Sequence, residues 1–426
     1  VQRVRRLGIA CTFVTACFVA ACFVAACFVA TCLVATPACA QPLQWHGYLD
    51  LRVAALAPDE RSWTEGGLGK QRFGDAAPAA ALGGAAALHW QLSPEWSAMA
   101  EFQANSQASP SIGLLAANLR YRPVSTTPWR WSLQAGAFFP SISLENEGVG
   151  WTSPWTLSPS ALNSWVGEEL RTLGAQARLE HRGERGTLDL GLALFRANDP
   201  AGELLASRGW ALGDMTSTLG ARLRQPDVYG PVIGASVPVR FEPFAETDGR
   251  TGVHADAEWR AAGGARFRAL HYDNRADPET SRMQEGRQVF SWRTKFNSAG
   301  IDWPIGGSHL VAQWMGGSTA IEPAPDFYLD SRFRAWFVLL GRDEGKWRPA
   351  LRIDGFRVRQ TPDFLEAPLD EDGHALTLAL NWRPTPAFRL AVEWLRVDST
   401  RNQRLLSGQA PRQREDGLQL ALRLLY

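Results

Sequence analysis

Lysine is almost missing from this chain: Lys70, Lys295 and Lys346 are the only three in 426 residues, so nearly all positive charge is arginine. Arginine keeps its charge in any surroundings and grips a carboxylate or phosphate with two parallel donors. Cysteine is confined to positions 11, 17, 22, 27, 32 and 39, which leaves everything after Cys39 without a disulfide or a thiolate metal site. A thiol-free remainder suits passage through an oxidising compartment. Beyond residue 40 there is no run of about 20 apolar residues, so no membrane-spanning helix is expected there. Crossing by strands stays open, because only alternate residues of a barrel strand face lipid. A basic excess is missing too: the net charge is +1, with Arg3, Arg5 and Arg6 at the very start. That argues against a nucleic-acid binder, which needs a basic patch. No HExxH, GxSxG, Walker or Gly-rich dinucleotide motif occurs, so neither an enzyme nor a cofactor or metal is expected.

Residues 1–40 read as a secretory signal peptide. Three arginines precede an apolar stretch built on a five-residue repeat, ACFVA at 16–20, 21–25 and 26–30 and TCLVA at 31–35. Pro37 breaks the stretch, and Ala38-Cys39-Ala40 is a small-x-small site, which places cleavage between Ala40 and Gln41. A retained membrane anchor, or lipid attachment at Cys22 or Cys27, are the competing readings.

Residues 41–426 alternate apolar and polar side chains again and again, the period-two signature of strands with one apolar face. Leu418, Leu420, Leu422, Leu424 and Tyr426 fall on one face of the last run, and Gln419, Ala421 and Arg423 on the other. Leu43, Trp45, Gly47, Leu49, Leu51 and Val53 oppose Gln44, His46, Tyr48, Asp50 and Arg52 in the first. About 18 such runs, most of bilayer-crossing length, predict one all-β domain, a transmembrane antiparallel β-barrel of about 18 strands, with 16 as the alternative. Short connections (93–94, 182–186, 262–264, 341–346, 384–387) alternate with long ones (56–79, 140–167, 199–215, 274–286, 317–326, 360–373, 399–414), as periplasmic turns and external loops do. Three segments break the rhythm: 248–251 is short where a loop is due, and 225–236 and 298–308 are long where turns are due. Charged polar faces suit a wet lumen, and Trp45, Trp90, Trp129, Trp259, Trp292, Trp382, Trp394 and Tyr426 stand near strand ends, where aromatic residues meet the membrane boundary.

Leader, alternation and the terminal 418–426 segment together resemble the Gram-negative outer-membrane porins. The resemblance implies residence in the outer membrane among its lipids, and passive diffusion of small hydrophilic solutes or ions. It also implies recognition by the barrel-assembly machinery through the segment ending in Tyr426, and a homotrimer, with a monomer as the alternative. Residues 136–146 (GAFFPSISLEN) are similar to a stretch of the phosphate-selective porin O/P group, although that group carries abundant pore lysines. A structural or adhesive barrel without a pore and an outer-membrane hydrolase are the other functions open to such a chain.

Two constellations are candidates for the site. The loop at 140–168 holds Glu145, Asn146, Trp151, Trp155, Trp165 and Glu168, with Glu169 just beyond it. Folded inward, it narrows the pore with Glu145, Glu168 and Glu169 facing wall arginines; folded outward, it packs on its own aromatics. By parity Arg222, Arg224, Arg240, Arg260, Arg266, Arg268, Arg293, Arg332, Arg334 and Arg352 point into the lumen with Asp256 and Glu258. Opposed rings of arginine and carboxylate filter solutes by charge.

Overall fold

In the computed structural model, residues 43–74, 79–228, 237–325, 327–361 and 369–426 are described. The expected leader, with its cleavage site at Ala40 and Gln41, lies outside them. Sixteen antiparallel strands close into one barrel. In chain order they are β1 (Leu43–Leu56), β2 (Ala79–Gln91), β3 (Trp96–Asn105), β4 (Ile112–Tyr121), β5 (Trp129–Phe138), β6 (Thr172–Gly183), β7 (Gly186–Arg196) and β8 (Gly252–Ala261). There follow β9 (Arg266–Asp273), β10 (Arg293–Ile305), β11 (Ser308–Ala324), β12 (Phe327–Arg342), β13 (Trp347–Thr361), β14 (Glu371–Thr385), β15 (Phe388–Arg401) and β16 (Arg412–Leu425). Each strand pairs with its sequence neighbour, and β16 returns to β1 with Leu51 opposite Leu422. Closure satisfies the backbone groups that a free edge would leave bare in lipid. At the seam the Gly47 and Tyr426 amides and carbonyls exchange hydrogen bonds of 3.0 and 3.1 Å. A side chain at Gly47 would strike the Ala85 carbonyl and the Tyr426 ring, so the approach needs glycine.

Sixteen, the alternative count, is the observed number. The two surplus runs lie within 197–251, a single long connection between β7 and β8. Among the described residues there, they form only a short pair of two-residue strands, Leu223–Arg224 against Arg240–Phe241. Removing them also explains the broken rhythm at 225–236 and 248–251. The third irregularity disappears because β10 continues to Ile305 and turns at 306–307.

Short turns occupy one rim and the long connections the other, except that β11 and β12 are joined at the long-connection rim almost directly: residues 317–326, expected as a loop, lie mostly in β11, which runs to Ala324. The outer wall near the short-turn rim carries exposed Trp45, Trp90, Trp96, Trp129, Trp259, Trp303, Trp347 and Tyr426, an aromatic girdle. Above it runs an apolar band, for example Leu340 and Val338 on β12, Leu390 and Val392 on β15, and Leu420 and Leu424 on β16. Trp292 departs from its expected place in the girdle. It is fully buried inside, with its indole donating to Glu203.

Candidate functional site: a lumen filled by its own loops

A barrel of this size leaves room for an aqueous channel unless something occupies it. Here the half nearer the long connections is occupied. The 140–171 segment runs inside the wall with most of its residues buried, the exposed ones being Glu147, Gly148 and Pro154, and 198–213 and 67–74 lie beside it. Helix α1 (Ala161–Glu169) and the short helix α2 (Glu203–Ser207) form within these loops. Ser160 caps α1 by accepting from the Asn163 amide at 3.3 Å. Trp165, Val166, Leu205, Trp210 and Leu212 then pack against inward-facing Phe296, Met315, Phe333, Phe356, Val358, Leu395 and Val397. Hence β10 to β15 present apolar side chains on both faces, one to lipid and one to the loops.

Buried charge fixes the packing. Arg352 on β13 donates to Glu145 at 2.6 Å, to Asp354 at 2.8 Å and to the carbonyls of Ser158 and Pro159. Glu393 on β15 accepts the amides of Leu157 (2.6 Å) and Ser158 (3.0 Å). Asn146 donates to the Trp151 carbonyl at 2.6 Å, and the Trp155 carbonyl accepts from Asn381 at 2.8 Å. Glu168 pairs with Arg208 at 2.7 Å, an arginine of a neighbouring loop and not of the wall. Glu169 meets no wall arginine either: it accepts the Leu204 amide at 2.9 Å, at the start of α2, and the Trp165 indole.

Burial pushes the Glu169 carboxyl up to about 8, against the pull of those donors. A folded value above the ordinary 4.5 means that this packing is held in full below that pH and weakens as pH rises through about 8. Amide exchange in α1 and α2, corrected for its intrinsic rate, should therefore be faster near about pH 9 than near about pH 5. Glu169→Gln should flatten the difference; an equal slope in that variant would assign it elsewhere.

The candidate wall residues divide into three groups. Asp256, Glu258, Arg260, Arg266, Arg268 and Arg352 stand on the lumen side. Asp256 binds Arg178 at 2.9 Å, Glu258 is held by Arg260 and Arg268, and Arg266 reaches Asp302 at 2.9 Å. Arg266 and Arg268 also grip Glu147 of the inward loop at 2.8 and 3.1 Å. Arg222, Arg224 and Arg240 need correction: they lie in the 197–251 connection, where Arg222 pairs with Glu285 at 2.7 Å and Arg224 with Asp227 at 2.9 Å. Arg293, Arg332 and Arg334 need correction too, because they point outward. On β10 it is Phe296 that faces inward, 5.5 Å from Trp165 and 4.9 Å from Tyr272, which turns Arg293 out. On β12, Phe333, Ala335 and Phe337 are buried inside, which turns Arg332 and Arg334 out. Parity assigns every apolar face to lipid, and that rule reverses where loops fill the lumen.

Below the loops, toward the short-turn rim, a cavity of about 520 Å³ remains. Arg266, Arg348, Arg383, Arg389 and Arg423 line it, with Glu145, Glu147 and Asp302 as acidic neighbours. Tyr48 borders this vestibule and also a narrow polar seam between β1–β3 and the loops. Arg52 bridges Asp50 (2.7 Å) and Asp214 (2.6 Å) in the seam, Arg72 holds Asp214 at 2.7 Å, and Arg423 holds Asp50 at 2.9 Å. Of the seam residues, sequence reading named Asp50, Arg52 and Arg423 only as polar-face positions of their strands. Asp214 is brought to them by a loop some 160 residues away in sequence, which no local pattern announces.

No family model and no curated protein matches the sequence. Solved structures match in fold. The outer membrane channel DcaP of Acinetobacter baumannii is 10% identical, over 90% of this chain and 97% of that one, with a TM-score of 0.54. A loop L8 deletion mutant of OmpT, an outer membrane protein of Vibrio cholerae, is 8% identical over 90% and 99%, with a TM-score of 0.52. An anion-selective porin from Comamonas acidovorans is 10% identical over 90% and 99%, with a TM-score of 0.48. The chain is a transmembrane antiparallel β-barrel. It shares its fold with the outer membrane channel DcaP and the OmpT deletion mutant.

Proposed function

We propose that this protein is an outer-membrane channel that passes small hydrophilic solutes, with a preference for anions, through the arginine-lined vestibule and the polar seam of Asp50, Arg52, Arg72 and Asp214. The vestibule carries the reading. Five arginines against three carboxylates around one water-accessible cavity give a positive local potential, which concentrates anions and repels cations. Inward loops make the path narrow, so the conductance of the resting barrel is small. Residues 1–40 serve export, and the segment ending in Tyr426 is the portion offered to the assembly machinery. Copies meet as a homotrimer through the uncharged wall of β3–β6, where Ala98, Ala100, Ala117, Ala135, Ala175 and Ala177 leave a smooth outer face.

Planar bilayers test the channel. Stepwise conductance with an anion-preferring reversal potential is expected under a salt gradient. Arg348→Glu together with Arg383→Glu should turn the preference toward cations, since both side chains border the vestibule. A silent barrel favours the structural or adhesive reading, which the filled half of the lumen also supports. An unchanged reversal potential in the double variant removes the vestibule from the conducting path.

A further inference from the structure

The outward-pointing arginines carry a separate inference. On β12 and β13 the outer wall above the apolar band stacks like charges directly across strands: Arg332 lies opposite Arg359, and Arg334 opposite Arg357. Cross-strand pairs of one sign are unfavourable. Compensation within the chain is incomplete. Asp372 serves both Arg357 and Arg359, Asp370 adds a longer contact to Arg359 at 3.5 Å, and Asp330 reaches Arg332 at 3.2 Å. Arg334, Lys295 and Arg293 have no ion-pair partner among the described residues.

Position identifies what meets them. Trp314 and Trp336 lie side by side on β11 and β12, one step below Arg334 in the direction of the apolar band. Their rings lie against the wall over Gly316 and Gly355, where any side chain would displace them. They form an aromatic ledge at the upper edge of the lipid-facing surface. Above the ledge a hollow of about 450 Å³ opens outward, lined by Lys295, Arg293 and Arg332, with Tyr328 and one carboxylate, Asp330, beside them. Basic side chains at this level, on the outside of the wall, face the headgroup layer of the long-loop side.

We propose that this patch binds the phosphate-bearing headgroup of an anionic outer-leaflet lipid, with the aromatic ledge lying along the start of its acyl chains. Guanidinium forks on Arg332 and Arg334 suit phosphate oxygens, and Lys295 adds a point charge. The lipid phosphates supply countercharge to Arg334, Lys295 and Arg293, which find none among the described residues. The inference holds whether or not the barrel conducts.

The test uses the folded full-length barrel in neutral detergent and native mass spectrometry. The probes are bisphosphorylated lipid A, zwitterionic phosphatidylethanolamine and inorganic phosphate. Lipid A should bind about tenfold more tightly than phosphatidylethanolamine, and the Lys295→Gln/Arg332→Gln/Arg334→Gln variant should lose about that factor. Arg342→Gln, on the outer face of β12 at the opposite rim, should bind as the parent does. Heat-modifiable migration confirms that each variant is folded. If the triple variant fails to fold, Arg334→Gln alone is read and should weaken lipid A by about threefold. A folded patch variant that binds lipid A like the parent overturns the proposal. So does inorganic phosphate that binds as tightly as the lipid.

Discussion

Replacing residues 146–168 with a short Gly-Ser linker should raise single-channel conductance by about an order of magnitude, because the segment occupies a lumen that 16 strands leave wide enough for water. The strand ladder does not pass through this loop, so the variant should still migrate as a heat-modifiable barrel. Its stability should fall. Trp155, Trp165, Leu162 and Val166 leave the interior, and Phe333, Phe337, Phe356 and Leu395 on the wall lose their cover. Each large apolar side chain so exposed costs about 1.5–3 kcal/mol. A folded variant with the parental conductance would show that the loop does not limit the path. The seam of Arg52, Arg72 and Asp214 would then be the narrow point.

Arg352→Met should be the most damaging single substitution in the wall. The guanidinium is fully buried and holds two carboxylates, Glu145 from the loop and Asp354 from its own strand. Its loss strands both charges away from water, at a cost of about 3–5 kcal/mol. Arg352→Lys should recover only part of this, since an ammonium cannot fork between the loop carbonyls and two acids. Combining Arg352→Met with Glu145→Gln and Asp354→Asn should bring stability back to within about 2 kcal/mol of the parent, because no charge is left unpaired. Denaturant unfolding followed by tryptophan fluorescence measures all three. A triple variant as unstable as Arg352→Met would mean that packing volume, not charge, dominates at this position.

These two results bear on how far sequence patterns reach in such a protein. The first and last strands were legible, residue by residue: Leu49, Leu51, Leu420, Leu422 and Leu424 face outward, and Asp50, Arg52 and Arg423 face inward. The 140–168 loop stood out by its tryptophans and prolines, but which side of the wall it occupies depends on Arg352 and Glu393, some 200 residues away. Two alternating runs in the 197–251 connection looked like strands because alternation is a local property. Barrel membership is not, since it requires a pairing partner on each side.

What the sequence determined by itself was the class. Period-two alternation over bilayer-length runs, with tryptophan at the strand ends and no long apolar helix, admits a closed barrel, because lipid forbids unpaired backbone. What only the tertiary structure decided was which face of each strand meets water. Lipid outside and a loop core inside both ask for apolar side chains. On β10 to β15, Phe296, Phe333 and Phe356 therefore carry the same pattern as lipid-facing leucines, and only the filled lumen tells the two apart.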